Sequence, residues 1–122
     1  MSVRFLTESS SALLKKFNDA IDQEESKGSI TTWEKVRQGE TTFYTHIAAD
    51  WTKKAYFKAA ALDNKLKFSI VRPKNKSVDQ EVYAYYHAHL IETFLRHFSN
   101  DFTDARADAV ADDSDNVKPS SK

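Results

Sequence analysis

The stretch Trp51–Arg72, W-T-K-K-A-Y-F-K-A-A-A-L-D-N-K-L-K-F-S-I-V-R, decides the fold of this 122-residue chain. By intrinsic propensity Thr52 to Leu62, with its run of alanines, favours a helix. Beyond it, Leu66, Phe68 and Ile70 alternate with Lys65, Lys67 and Ser69, the period of a strand with one buried face. With Asp63-Asn64 as a two-residue hairpin loop, Ala61 faces Leu66, Ala59 faces Phe68 and Phe57 faces Ile70. Small residues then oppose large ones on one face, and Lys58, Ala60, Lys65 and Lys67 collect on the other. Two patterns falling into register outweigh alanine's helix preference and predict a hairpin.

Working upstream, Ser29 to Gln38 is ambiguous. Ile30, Thr31, Thr32, Trp33 and Val36 have strand-like composition, whereas Thr31 with Glu34 and a stop at Gly39 would suit a short helix. The strand is preferred, turning at Gln38-Gly39-Glu40 into a second strand from Thr41 to Ala48. There Phe43, Thr45 and Ile47 alternate with Tyr44 and His46. Before these strands, Leu13, Leu14, Phe17, Ala20 and Ile21 recur at helical spacing, which predicts a helix from Thr7 or Ser9 to Lys27 with Gly28 as its stop. Met1 to Leu6 is either a short edge strand or the lead-in to that helix.

Downstream lies the strongest helix, Ser77 to Phe98. Ser77 and Gln80 form a capping-box pattern, and Asp79 and Glu81 place negative charge in the first turn. Tyr83, Tyr86, His87, Leu90, Ile91, Phe94 and Phe98 share one broad face, with Glu81, His89, Glu92 and Arg96 opposite. Val78, Val82, Tyr85 and Leu95 spill over its edges, and Tyr85 points away from Phe94. The fold predicted is therefore α+β: an N-terminal helix, a four-stranded antiparallel meander and a long C-terminal helix, both helices on one sheet face. Residues 1–100 form this single domain. Residues 101–122, rich in aspartate and ending Pro119-Ser120-Ser121, read as a disordered acidic tail whose first turns can extend the helix.

Composition narrows the function. Formal net charge is zero, so no global field draws a polyanion. The absence of cysteine excludes disulfides, thiolate metal sites and cysteine nucleophiles. Two isolated glycines cannot build a phosphate loop, and Ser9, Ser10 and Ser11 start a helix rather than a nucleophile elbow. Glu24 and Glu25 read as solvated charge at a helix end. His87 and His89, two apart on a helix, diverge by roughly 160° and cannot share an ion. No metal or cofactor is implied. No apolar run spans a membrane, and a cytoplasmic protein is the default.

Three functional readings remain. The first is a non-catalytic protein-interaction module, docking a protein partner or a second copy through Val78, Val82, Tyr85 and Leu95. The ordinary alternative is that these aromatic and apolar stems lie flat on their own domain. The second is nucleic-acid or polyanion binding by the basic hairpin face, through Lys54, Tyr56, Lys58, Lys65 and Lys67. The same lysines are also what the solvated side of an antiparallel sheet carries. On that reading the acidic tail can fold over the face as a mimic of the polyanion. The third is a ligand pocket or enzyme at His87, lined by Tyr83 and Tyr86, against a core histidine bonded to a neighbour.

Overall fold

A computed structural model describes residues 2–23, 30–74 and 76–108. The elements are β1 (Ser2–Leu6), α1 (Ser10–Asp22), β2 (Trp33–Gln38), β3 (Thr41–His46), β4 (Tyr56–Leu62), β5 (Lys65–Val71), α2 (Gln80–Phe98) and β6 (Asp104–Ala107). All strands join one antiparallel sheet in the order β2-β3-β4-β5-β1-β6. The class is α+β. No helix among the described residues is long and apolar enough to cross a membrane.

The alanine run is a strand, and its register is the one the side-chain pattern requires: Ala61 opposite Leu66, Ala59 opposite Phe68, Phe57 opposite Ile70. Phe57, Leu66, Phe68 and Ile70 are fully buried. Each such burial is worth about 1.5–3 kcal/mol, while helix propensity differs by no more than about 0.7 kcal/mol per ordinary residue. Packing therefore overrides propensity. The turn between β2 and β3 falls at Gly39, whose φ of +64° is a left-handed value that glycine adopts without Cβ strain.

The four-stranded meander is corrected to a six-stranded sheet. β1 is no edge strand: it lies between β5 and β6, and its Val3 and Phe5 are fully buried. β6 lies at residues that the sequence reading assigned to the tail. Its Asp-Ala-Arg-Ala sequence alternates, but with alanines alone on the core side, Ala105 opposite Phe5 and Ala107 opposite Val3, the apolar signal is weak. Backbone pairing with β1 holds it, from Leu6 opposite Asp104 to Val3 opposite Ala107, and Phe102 just before it packs on Phe5. The tail expectation for 109–122, the stop at Gly28 and the Glu24-Glu25 pair lie outside the described residues.

Phe17 of α1 and Phe94 of α2 meet over the same sheet face. Their ring centroids are 5.0 Å apart, and each stands 5.6 Å from Phe68. Phe5 stacks on Phe94 at 4.1 Å. Helix α1 buries Leu13, Phe17 and Ala20, and it stops at Gln23, whose backbone is extended, rather than at Lys27. Helix α2 starts two residues later than the capping box implies. Asp79 is its cap, the carboxylate accepting from the Val82 N–H at 2.9 Å. Asp79 adds a full charge at the positive end of the helix dipole, and Val78 and Tyr83, both buried, occupy the two positions of a hydrophobic staple.

Candidate polyanion interface on the open sheet face

Residues paired in register share a face of the sheet. The face turned away from α1 and α2 therefore carries Lys58, Lys65 and Lys67 from the hairpin, Arg4 from β1 and Arg106 from β6. Lys67 is directly opposite Arg4, and Arg4 is directly opposite Arg106. Like charges placed opposite one another on neighbouring strands destabilise a sheet, on the order of 0.2–1 kcal/mol per pair. Asp108 relieves part of this, its carboxylate accepting from Arg4 Nη1 at 2.8 Å. Among the described strand residues, Glu34 and Asp104 are the other acidic ones on this face. The charge there is thus local and biased to one stripe, on a chain with no net charge.

Beside the stripe is an aromatic pair. Phe43, opposite Lys58, meets Tyr56 edge to face at 6.3 Å between centroids and 74° between planes. The two rings, with Val36, Val71 and Pro73, line a cleft of about 290 Å³ that Arg37, Arg72 and Lys74 border. Arg72 Nη1 donates to the Pro73 carbonyl at 3.2 Å, while its Nε–H is buried without an acceptor among the described residues. Burial pushes the Tyr56 hydroxyl above its ordinary pKa, with the charges of Tyr86 and Glu34 adding to the effect.

Four of the five residues proposed for polyanion binding, Tyr56, Lys58, Lys65 and Lys67, lie together on this face. Lys54 does not. It sits over the Trp51 ring, 5.2 Å from its centroid, in the loop between β3 and β4. Arg4 and Arg106 escaped sequence reasoning because they come from opposite ends of the chain.

Of the helix-face candidates, two are buried, one is partly buried and one is exposed. Val78 and Val82 are each 8% exposed. Tyr85 is sandwiched, with Trp51 at 3.7 Å and 7° on one side and His89 at 4.0 Å and 18° on the other. Only Leu95 of that proposed patch is open, at 52% exposure. His87 is buried, its Nδ1–H donating to the Tyr83 carbonyl at 2.6 Å and its ring standing 5.1 Å from Phe57. The Tyr86 hydroxyl donates to the Trp51 carbonyl and meets Thr45 Oγ1 at 3.1 Å.

His89, read from the helix period as solvent-facing, instead joins a histidine pair. His46 Nδ1 accepts from the Ala48 N–H at 3.0 Å, so the neutral ring carries its proton on Nε2, which faces His89 Nδ1 at 3.4 Å. Burial lowers the His46 pKa, and the neighbouring His89 lowers it further. A neutral ring bound to metal through Nε2 needs its proton on Nδ1, where the Ala48 N–H already points. No cluster of three or more potential metal ligands occurs among the described residues. Comparison of the chain with protein-family models, curated proteins and solved structures returned no match.

Proposed function

We propose that this protein binds a polyanion, a single-stranded nucleic acid above all, along the open face of its sheet. The observation that carries the reading is the cation stripe Lys67–Arg4–Arg106, in register on three adjacent strands. A fold does not gain from apposed cations, whereas a phosphodiester chain crossing them neutralises each in turn and releases counterions. Phe43 and Tyr56 next to Lys58 supply the ring faces on which bases stack irrespective of sequence. The protein-docking reading of α2 has less support, since Val78, Val82 and Tyr85 are covered by the chain itself.

Fluorescence titration with a labelled single-stranded oligonucleotide at low and moderate salt tests the proposal. Affinity falls as salt rises, by about 0.7 log units per log unit of salt for each phosphate neutralised. Lys58→Glu with Lys67→Glu weakens it further. Absence of binding, or binding indifferent to both substitutions, removes the reading.

A further inference from the structure

We infer that the cleft bordered by Phe43, Tyr56 and Arg72 seats one base of the bound strand, with the guanidinium of Arg72 taking the adjoining phosphate. This rests on the polyanion reading and specifies the ligand: a nucleotide chain with bases, not an anionic polymer in general. The cleft is the place on the open face where an aromatic wall and a cation border the same space. Its volume of about 290 Å³ is at the lower end of small-molecule sites, in keeping with one planar ring system rather than a larger ligand.

Arg72 adds the second, independent observation. Its Nε–H is buried and lacks an acceptor among the described residues, although such groups are nearly always paired in folded proteins. Among the described residues only Nη1 is used, on the Pro73 carbonyl. Arg72 borders the cleft, and the part of its guanidinium not used on Pro73 can take a phosphate oxygen there as a charge-assisted pair. Lys74 borders the same side. Arg37 of β2 borders the cleft as well, so the phosphate meets cations from two strands' ends. From Phe43 the register leads to Lys58 on β4, which places the next phosphates on the way to the cation stripe.

The test compares three probes on the full chain: an oligodeoxythymidylate, an abasic oligonucleotide of the same length, and inorganic polyphosphate. The proposal expects the oligothymidylate to bind about five- to a hundredfold more tightly than the abasic chain, the range that one stacked base produces. Phe43→Ala and Tyr56→Leu, both on the half-exposed face and checked for folding by circular dichroism, each shrink that preference while leaving polyphosphate affinity unchanged. Equal affinity for all three probes overturns the base seat but leaves the charge-based reading standing. A base preference that neither substitution touches also overturns it. Failure of every probe to bind removes both.

Discussion

The Trp51 indole lies flat on the Tyr85 ring, 3.7 Å between centroids and 7° from parallel. This contact joins the loop between β3 and β4 to the face of α2 that a helical wheel turns outward. It engages one apparent docking residue in the domain's own packing, where Tyr85 is partly buried. Tyr85→Ala should therefore lower stability by about 1–2 kcal/mol, through the lost stack and part of the buried area. Urea denaturation measures it. An equally stable variant that changes association state would restore the interface reading of Tyr85.

The histidine pair predicts a pH dependence. The folded pKa of His46 is depressed below its ordinary 6.5 by burial, then by His89. Protons then bind the unfolded chain more readily, so the stability His46 contributes is complete above about pH 6.5 and is lost as pH falls through the folded value. The urea midpoint should drop between about pH 7.5 and about pH 5. His46→Asn, whose side-chain oxygen can still accept from the Ala48 N–H, should flatten most of that slope. His97, lowered by burial and by Arg96, adds to the slope in the same direction.

Thr93 links α2 to the first residue of β2. Its hydroxyl accepts from Trp33 Nε1 at 2.9 Å and donates to the His89 carbonyl at 2.8 Å, and Trp33 is fully buried. Thr93→Val keeps the shape and strands a buried indole N–H. The expected cost is about 1–3 kcal/mol by denaturant titration, with tryptophan emission unchanged because the site stays dry.

How much of this was legible varies from element to element. The β4–β5 hairpin was readable because alternation on both strands, Phe57-Ala59-Ala61 against Leu66-Phe68-Ile70, had to agree across a two-residue loop. β1 was not readable as a central strand. Its Val3 and Phe5 give two points of a period, and only topology shows that both of its edges are paired. β6 carries little side-chain signal, two alanines on the core side, and is held on β1 mainly by backbone pairing. For the site, the lysines of β5 and Tyr56 of β4 were visible in the hairpin pattern. Arg4 and Arg106 meet only after the chain ends pair, and the stack of Trp51, Tyr85 and His89 is a contact of a loop with a helix that no period records.

Arg106 gives the most direct test, because it is exposed and stands opposite Arg4. Arg106→Gln should raise stability by about 0.2–0.5 kcal/mol as the like-charge pair disappears. The same substitution should weaken oligonucleotide binding and reduce the magnitude of its salt slope by about 0.7, the share of one phosphate contact on a single strand. Measuring both quantities on one protein sample decides the matter. A more stable protein with a weaker, less salt-dependent complex is the predicted result. Unchanged affinity and salt slope would contradict the account, leaving the apposed cations as a feature of the sheet without a ligand.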